Sequence, residues 1–454
     1  MSFKAVPDSG LYTDLYQLTM GQGYFKSGLH KKQASFDYFF RKAPFSGEYV
    51  IFAGLSDLLE TLESLVFRAD DISWLQGEGF DPDFCRFLSD YSFDGTVISV
   101  REGDVVFPGE PILTVNGPLF SCQIAETLLL NTLNFQSLIA TKARRVRMAC
   151  GEKKLIDFGL RRAQGTGSLS ASRAAAIGGI DATSNTLAAR MYNLPASGTM
   201  AHSWIQCFEN ERDAFMTYAK WYPDTTILLV DTYNTLKSGI PNAIKVAKEL
   251  ESRGHRMLGI RLDSGDPLSL SRAARSMLDE AGLHYVRIAV SDQLDEMRIQ
   301  ELSKQEAPID IFGVGTRLVT GHPDGALGGV YKICELDGRP TMKQTDDLFK
   351  NSLPGKKEIF RESRSNGQFL RDHIVLNDNM QAGKQAEQIR STVMDKGIVT
   401  GELPSVKEIA QYSNKRFEFV PEDVKRLSDP DCYELCIDEK LVELMEKLAK
   451  FVQE

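Results

Sequence analysis

The chain repeats one pattern between residues 155 and 316: a short apolar run is closed by polar or glycine residues and is, in most cases, followed by a helix-like segment. Seven such runs succeed one another at intervals of roughly 20 to 30 residues: LIDFG, GIDATSN, ASGTMAHS, TTILLVDTYN, RMLGIRLDSGD, YVRIAVSD and DIFGVGT. Strands that alternate with helices in this way form parallel sheets. Seven units most simply give a closed α/β barrel, in which functional residues lie at the carboxyl ends of the strands.

The segments on either side of this repeat have other patterns. Residues 94–119 alternate β-branched residues with glycine and proline turns, which indicates a small β-rich unit. A helix is predicted over residues 122–150, because apolar residues recur there at three- and four-residue spacing until Gly151. From about residue 335 a lysine-rich turn region leads through mixed segments to an amphipathic helix at 440–454. We expect this last part to pair with the N-terminal β unit as one discontinuous domain.

The composition excludes several classes of function. Hydrophobic residues make up 42% and charged residues 25% of the 454 positions, as in ordinary soluble proteins of two or three domains. The net charge of −9 argues against nucleic acid as a partner. The N-terminus lacks a signal-peptide core, and no apolar run is long enough to cross a membrane. The seven cysteines have no zinc-binding spacing, so we predict no protein metal ligands and expect a reducing, cytoplasmic location.

The residues that close the apolar runs are unlike the rest of the chain. They combine arginines, carboxylates, hydroxyls and glycines, and comprise Asp157, Phe158, Arg161, Arg162, Ser184, Asn185, His202, Ser203, Asp231, Asn234, Arg261, Asp263, Ser264, Asp266, Ser291, Asp292, Gly315, Thr316 and Arg317. Several arginines around one cavity favour an anionic ligand, because guanidinium groups match carboxylates and phosphates. The glycines of FGVGT, at 312–316, would let backbone amides approach phosphate oxygens, although a turn that merely ends a strand has the same pattern.

Two places allow both a functional and a structural interpretation. Arg261 and Asp263 lie two residues apart in IRLDSGDP, so a strand directs both side chains to one side. In the functional interpretation, the arginine binds an anion and the aspartate binds a hydroxyl group or Mg²⁺. In the structural interpretation, the two residues form an internal salt bridge before a helix. His202 is one of six histidines and follows a flexible Gly-Thr pair. Its imidazole either takes part in the reaction or is a hydrogen-bonded structural group.

Seven motifs, in order along the chain, resemble those of the nicotinate phosphoribosyltransferases, which are type II phosphoribosyltransferases. They are LYTDLYQLTM (11–20), FDYFFRKAPF (36–45), DFGLRRAQG (157–165), GTMAHSW (198–204), VDTYNT (230–235), IRLDSGDP (260–267) and FGVGT with LGGVYK (312–316 and 327–332). The resemblance implies that nicotinate and 5-phosphoribosyl 1-diphosphate give nicotinate mononucleotide and diphosphate. It also implies ATP as a co-substrate, whose hydrolysis is coupled to the reaction, and Mg²⁺ as a cofactor.

The resemblance also implies a fold and an assembly. The fold is an irregular α/β barrel plus an α/β sandwich domain formed from the N- and C-terminal parts, usually in a homodimer with shared active sites. Residues 1–150 would be the N-terminal part of the sandwich with its linking helix. Residues 151–333 would be the catalytic barrel, and residues 334–454 the C-terminal part of the sandwich.

The functional residues of the family are carried over motif by motif. Tyr16 and Phe158 would stack on the two faces of the pyridine ring, and Arg261 would hold the nicotinate carboxylate or position the phosphoribosyl group. The residues implied for the phosphoribosyl site are Arg161, Asp263, Gly315 and Thr316, with Thr199 as a further substrate contact. The lysines that are candidates for neutralising diphosphate are Lys332, Lys343, Lys356 and Lys357.

His202 would be the residue that ATP phosphorylates, with Arg261 and Asp263 as the other catalytic residues. A neutral imidazole is nucleophilic near pH 7, and its phosphoryl adduct is labile. Ser184 would select the pyridine, because nicotinamide-using relatives carry an aspartate at this position. A hydroxyl can donate to the nicotinate carboxylate, which an aspartate would repel. The alternative is that Ser184 caps the next helix.

Other functions stay open at this level. The substrate could be nicotinamide or quinolinate, or the protein could be a barrel lyase acting on a sugar phosphate, because this fold hosts many reactions. Such a lyase commonly needs a Schiff-base lysine or a metal cluster, and the ends of the apolar runs contain no lysine. A catalytically silent homologue is the third possibility, against which intact His202, Arg261 and Asp263 count.

Overall fold

The computed structural model describes residues 7–343, 352–377 and 386–451. The chain divides into two compact units, a first unit built from the residues before 142 and after 323, and a second unit from Lys142 to Pro323. Within the described ranges, no helix has the length and apolar character needed to span a bilayer. The domain boundaries predicted at residues 150 and 333 remain a prediction.

The helices, in chain order, are α1 (Leu15–Lys26), α2 (Leu55–Glu63), α3 (Ala69–Gly77), α4 (Pro82–Ser89), α5 (Leu119–Cys150), α6 (Gly167–Gly178), α7 (Thr186–Met191), α8 (His202–Gln206), α9 (Glu211–Trp221), α10 (Ile240–Ser252), α11 (Pro267–Glu280), α12 (Glu296–Lys304), α13 (Thr316–Val319), α14 (Val406–Glu418), α15 (Glu422–Lys425) and α16 (Glu439–Phe451). A π-helical turn, Thr235–Gly239, directly precedes α10.

The strands are β1 (Gln33–Phe40), β2 (Val50–Ile51), β3 (Thr96–Val100), β4 (Val105–Val106), β5 (Leu113–Pro118), β6 (Lys154–Asp157), β7 (Ala182–Thr183), β8 (Ile227–Leu229), β9 (Gly259–Leu262), β10 (Arg287–Ser291), β11 (Ile311–Val314), β12 (Gly329–Leu336), β13 (Arg339–Pro340), β14 (Lys357–Ser363), β15 (Phe369–Leu376), β16 (Ala386–Gln388), β17 (Arg390–Asp395), β18 (Ile398–Val399) and β19 (Glu434–Ile437).

The first unit is built on an antiparallel sheet of strand order β13-β12-β1-β5-β3-β17-β18 and a smaller sheet of order β16-β14-β15-β19. Strand β1 (QASFDYFF) is rich in aromatic residues and is buried from its second residue onward, which suits a strand inside a sheet. The first half of α5 packs Leu119, Leu129 and Leu133 into the same core as Tyr38 and Phe40. Each leucine buried in this way contributes about 1.5–3 kcal/mol. Strands from both ends of the chain therefore share one core, as expected of a discontinuous domain.

The second unit contains one parallel sheet of strand order β7-β6-β11-β10-β9-β8. Strands such as ILL (β8), GIRL (β9) and IFGV (β11) are buried at every residue, because helices follow the strands and cover a parallel sheet. The predicted α/β class is confirmed. The carboxyl ends of these strands share one edge of the sheet, and they carry the polar residues singled out in the sequence.

The closed barrel expected from seven units is not found in the described part of the second unit, since the end strands β7 and β8 do not pair with each other. The third apolar run, ASGTMAHS, forms no strand and contributes only an isolated bridge between Ala196 and Thr183. Pro195 and Gly198 flank this bridge, and both residue types interrupt strands. The run leaves the sheet after one residue and enters α8 at His202, so the sheet stays open between its end strands.

Candidate active site

A cavity of about 720 Å³ lies at the carboxyl edge of the parallel sheet. Its wall brings together seven of the predicted site residues, namely Phe158, Arg161, Ser184, Thr199, His202, Arg261 and Asp263. All seven belong to the second unit. These seven residues give the wall one aromatic ring, two guanidinium groups, two hydroxyl groups, one imidazole and one carboxylate.

Arg261 is the most connected residue of this wall. Its Nε donates to Ser291 Oγ at 2.8 Å, its Nη1 to Thr199 Oγ1 at 3.0 Å, and its Nη2 to Asp263 Oδ1 at 2.5 Å. The guanidinium also lies over the ring of Phe158, 5.2 Å from the ring centroid. The side chain is only 10% exposed, so it is held in one orientation at the edge of the cavity.

Asp263 connects Arg261 to the histidine. Its Oδ1 accepts hydrogen bonds from both Arg261 and Ser291, and its Oδ2 lies 3.8 Å from His202 Nε2. Burial opposes ionisation of Asp263, but the hydrogen bond from Ser291 and the charge of Arg261 outweigh burial and lower the pKa of this carboxyl. Asp263 is therefore an anion at neutral pH. The salt bridge with Arg261 is real, and both partners still line the cavity.

A second carboxylate, Asp231, supports Asp263 from the neighbouring strand β8. Its Oδ2 accepts from the backbone N–H of Asp263 at 2.8 Å and from Ser264 Oγ at 2.6 Å. Its Oδ1 is buried and has no hydrogen-bond partner among the described residues. A buried oxygen of this kind is expensive to leave unpaired, which marks it as an acceptor for a bound group.

His202 begins helix α8, and its side chain is 41% exposed. Its Nδ1 lies 3.0 Å from Thr232 Oγ1, and its Nε2 faces Asp263. Thr232 lies between β8 and the π-helical turn. That turn is fixed in place because Gly239 passes so close to the Val230 carbonyl oxygen that an added Cβ would lie 1.8 Å from it. Thr232 lies within the VDTYNT motif, but the sequence did not single it out, because one threonine after a strand carries no distinctive pattern.

Phe158 owes its position to a glycine on the adjacent strand. A Cβ added at Gly313 would lie 2.4 Å from the Phe158 ring, so only glycine leaves room for the ring at this level of the sheet. Gly315 directly follows this strand, near the Phe158 backbone, and Thr316 begins the short helix α13. Gly313 thus has a packing function, while Gly315 and Thr316 do not line the described cavity and their predicted substrate contacts remain a prediction.

Ser184 lies on the cavity wall, and it does not cap the following helix. The cap of α7 is Asn185, whose side chain accepts from the backbone N–H of Ala188 at 3.2 Å. The capping interpretation of Ser184 is therefore wrong, because the neighbouring asparagine occupies that position. The Ser184 side chain is left to face the cavity.

Two of the other predicted residues prove to be structural. Asp157 is buried, and its carboxylate accepts from Gly159 N, Ser172 Oγ and Thr183 Oγ1 at 2.7 to 2.8 Å, which fixes the loop that carries Phe158. Arg317 pairs with Asp295 instead of facing the cavity.

The remaining candidates lie in the first unit. Tyr16 is on α1 and is 46% exposed. Lys357 is buried, pairs with Asp37 at 2.8 Å and donates to two backbone carbonyls, so all its N–H groups are engaged and its candidacy for diphosphate is wrong. Lys356 pairs with Glu335, whereas Lys332 and Lys343 remain untested.

Comparison with known proteins identifies relatives along most of the chain. Residues 11–134 match the nicotinate phosphoribosyltransferase N-terminal domain, residues 153–382 the nicotinate phosphoribosyltransferase family, and residues 380–445 the nicotinate phosphoribosyltransferase C-terminal domain. The nicotinate phosphoribosyltransferase of Bacillus subtilis is 40% identical, over 94% of this chain and 93% of that one.

Solved structures agree with these matches. The crystal structure of human nicotinic acid phosphoribosyltransferase superimposes with a TM-score of 0.85 at 32% identity, over 96% of this chain and 99% of that one. A nicotinate-nucleotide pyrophosphorylase from Pyrococcus furiosus, at 24% identity and a TM-score of 0.74, shares the fold.

Proposed function

The chain belongs to the nicotinate phosphoribosyltransferase family, and we propose that it couples transfer of the phosphoribosyl group from 5-phosphoribosyl 1-diphosphate onto nicotinate to ATP hydrolysis through His202. The transferase reaction gives nicotinate mononucleotide and diphosphate and belongs to NAD biosynthesis and salvage. The observation that carries the proposal is the joint placement of Phe158, Arg261 and His202 on one cavity wall.

Nicotinate is a flat ring with one carboxylate, and the cavity offers a partner for each part. The ring of Phe158 provides a stacking face, and Arg261 lies directly beside it with charge for the carboxylate. Ser184 adds a hydroxyl that can donate to a carboxylate oxygen. The wall contains no lysine among the described residues, whereas the alternative sugar-phosphate lyase would commonly use one.

The phosphoribosyl group would lie beside Arg161 and Asp263. As the bond between ribose C1 and diphosphate breaks, the sugar gains cationic character and the leaving group gains negative charge. The anionic Asp263 can stabilise the positive charge on the sugar, and Arg161 can stabilise the negative charge on diphosphate. Gly315 and Thr316 would contribute from the end of β11, which is adjacent to the backbone of Phe158.

Mg²⁺, when bound, would neutralise part of the charge on diphosphate. The oxygens available to it are Asp231 Oδ1, which is buried without a partner, and Asp263 Oδ2, which accepts no hydrogen bond from the described residues. No group of three or more ligating side chains occurs in the described ranges. This fits Mg²⁺, which commonly takes one or two carboxylates and completes its shell with substrate phosphates and water.

His202 is suited to accept a phosphoryl group at Nε2. With its proton on Nδ1, the imidazole donates to Thr232 Oγ1 and leaves the Nε2 lone pair free on the cavity side. Attack of Nε2 on the γ-phosphorus of ATP forms the N–P bond, breaks the bond to the β–γ bridging oxygen and releases ADP. Water then hydrolyses the N–P bond, which returns the neutral imidazole and inorganic phosphate.

The homodimer is part of the proposal. Helix α1 exposes Leu15, Tyr16 and Met20, an apolar face that a second subunit would cover. Tyr16 would then stack on the pyridine in a site shared between subunits. A cytoplasmic location agrees with seven cysteines that are all free.

The first experiment is phosphorylation by ATP labelled at the γ position. Wild-type protein should form an acid-labile phosphoenzyme, and His202→Ala should form none and lose stimulation by ATP while uncoupled transfer continues. A labelled His202→Ala protein would place the phosphate on another residue. Substitution of the exposed His284 by Ala is the control, and it should leave the label unchanged.

The second experiment tests the choice of pyridine. Diphosphate release with nicotinate, nicotinamide and quinolinate should show a strong preference for nicotinate. Ser184→Asp should weaken use of nicotinate and improve that of nicotinamide relative to it, because an aspartate repels a carboxylate and accepts from a carboxamide. An unchanged ratio of the two activities would remove Ser184 as the selector.

A further inference from the structure

We propose that Thr199 ties the loop carrying His202 to Arg261, so that an anionic substrate and this loop compete for the same guanidinium. The inference rests on the proposed function and deepens it, because it names the residue that transmits binding at Arg261 to the phosphoryl acceptor. Thr199 is then a positioning residue, in contrast to the direct substrate contact that the family resemblance implies.

The donors of Arg261 are almost fully used in the structure. A guanidinium has five N–H groups. Ser291 takes the one on Nε, and Asp263 takes one of the two on Nη2. The two on Nη1 both point to the loop, one to Thr199 Oγ1 at 3.0 Å and one to the Met200 carbonyl oxygen at 3.5 Å. One N–H on Nη2 is left for a ligand.

A carboxylate or phosphate binds a guanidinium best through two N–H groups. Only one N–H of Arg261 is unused, so the ligand can take a second one only by displacing one of the protein's own acceptors. The bonds to Asp263 and Ser291 are the shortest of the four, at 2.5 and 2.8 Å, and Asp263 is itself charged, whereas the bonds to Thr199 and the Met200 carbonyl are longer, at 3.0 and 3.5 Å. The bonds to the loop are therefore the ones that an anionic substrate displaces.

The loop has few other hydrogen bonds between the sheet and helix α8, and its other attachment there is the buried side chain of Met200. Ser197 N donates to Thr183 O and Thr183 N donates to Pro195 O, both at 3.0 Å, which fastens the loop at its start. After this point the backbone N–H groups of Gly198, Thr199 and Met200 have no partner among the described residues. Arg261 thus supplies the hydrogen bonds that hold the loop midway between Ser197 and His202, and loss of these bonds changes the restraint on His202.

His202 is sensitive to such a change because its two ring contacts are with other elements. Its Nδ1 is 3.0 Å from Thr232, and its Nε2 is 3.8 Å from Asp263, which is itself bonded to Arg261. A shift of the loop alters both distances. Binding free energies are reciprocal, so phosphorylation of His202 must change the affinity of Arg261 for anions by the same factor.

The test uses Thr199→Val, which keeps the shape of the side chain and removes the acceptor oxygen, with Thr199→Ser as the matched control that keeps it. The dissociation constant of nicotinate would be measured on unphosphorylated protein and on protein phosphorylated with ATP. The ratio of the two constants is the coupling factor, which in wild type and Thr199→Ser should be about fivefold or more. In Thr199→Val it should fall toward one.

A second expectation makes the test specific. In Thr199→Val the freed N–H should make nicotinate bind about 2- to 10-fold more tightly to the unphosphorylated protein, because one hydrogen bond need no longer be broken. A purely structural threonine would lower the thermal midpoint without tightening binding.

Each outcome separates this inference from the proposed function. If wild-type protein forms no phosphoenzyme, ATP coupling through His202 fails and this inference fails with it. If the wild type is phosphorylated and Thr199→Val keeps both the coupling factor and the nicotinate affinity of the wild type, this inference alone is wrong. Loss of coupling in Thr199→Val together with its retention in Thr199→Ser supports it.

Discussion

The second unit and the first unit each hold an arginine that is paired with aspartate and stacked on phenylalanine, and the two differ in whether a ligand can reach the guanidinium. Arg261 lies 5.2 Å from the ring centroid of Phe158 and keeps one N–H free at the edge of a cavity. Arg361 is fully buried, lies 4.5 Å from the ring centroid of Phe369, and is bonded to Asp372 through Nε and Nη2 and to Asp104 through Nη1.

This difference separates a binding group from a structural one. Arg361 is 0% exposed and lies among the buried carboxylates of Asp372, Asp104 and Glu110, so no ligand can reach it. Arg261 has the same chemistry, but two of its bonds go to a loop that can be displaced. A buried arginine alone is therefore weak evidence for function, and the exchangeable partners are the evidence that matters.

The largest effect should come from removing the charge in the first unit. Arg361→Met leaves Asp372 buried without its cation and leaves Asp104 with Arg416 alone, which should lower the free energy of unfolding by about 3–5 kcal/mol. Chemical unfolding measures this loss, and kcat/KM per folded molecule should change little. Arg364→Met, at an exposed arginine nearby, should cost less than about 0.5 kcal/mol. A stable Arg361→Met protein would erase the contrast between the two arginines.

Removal of the arginine in the second unit should have the opposite effect, a large loss of activity with little loss of stability. Arg261→Ala should reduce kcat/KM by about 10²–10³-fold, or roughly 3–4 kcal/mol, because a preorganised donor to the substrate anion is lost. Its thermal midpoint should stay close to that of the wild type. Arg272→Ala, at an exposed arginine on α11, is the control for surface charge. Near-normal turnover by a folded Arg261→Ala protein would remove this residue from the site.

The pH dependence of stability should sharpen the contrast further. Burial and the charge of Asp372 raise the pKa of Glu110, beside Arg361, well above its usual 4.5, while Arg361 overcomes burial to lower the pKa of Asp372. The other titratable and charged groups of this buried cluster around Arg361 are Tyr433, Asp104, Arg416 and Tyr412. Below about pH 4.5 both folded and unfolded Glu110 hold the proton, so its contribution is complete. As pH rises, the unfolded state loses the proton first and stability falls by about 1.4 kcal/mol per pH unit until the folded carboxyl also ionises.

Glu110→Gln should abolish that slope, because an amide does not titrate and can still donate to Asp372. Urea unfolding at a series of pH values from 5 to 8 would compare the two proteins. Glu402→Gln, at an exposed position, serves as the control. Parallel curves for wild type and Glu110→Gln would mean that Glu110 is ionised in the folded protein.

The smallest effect should come from the hydroxyl that bridges Arg261 and Asp263. Ser291→Ala removes one bond from each partner while both side chains stay in contact. A net loss of about 1 kcal/mol, or roughly fivefold in kcat/KM, is expected. The control is Ser276→Ala, at an exposed serine on α11. A loss as large as that of Arg261→Ala would show that Ser291 itself touches the substrate.

The sequence carried enough information for the α/β class and for seven of the residues that line the cavity. Strand ends are readable because apolar runs stop abruptly at polar residues, and parallel strands collect those ends at one edge. Local pattern could not reveal that ASGTMAHS leaves the sheet, since the outcome depends on one bridge to Thr183. The roles of Thr232, Asp157 and Lys357 were also hidden, because each depends on partners that are distant in sequence and brought near by folding.

The single bridge at Ala196 also has a consequence for hydrogen exchange. The Ser197 amide is bonded to the sheet and should exchange slowly with deuterium, whereas the amides of Gly198, Thr199 and Met200 should exchange within the fastest class of the second unit. The protein thus combines a long-lived sheet with a stretch of three residues whose amides are unprotected and whose hydrogen bonds to the sheet come from one guanidinium. Over evolutionary time, substitutions in this stretch can retune the response to ligands while the sheet, and with it the abundance of the folded protein, stays as it is.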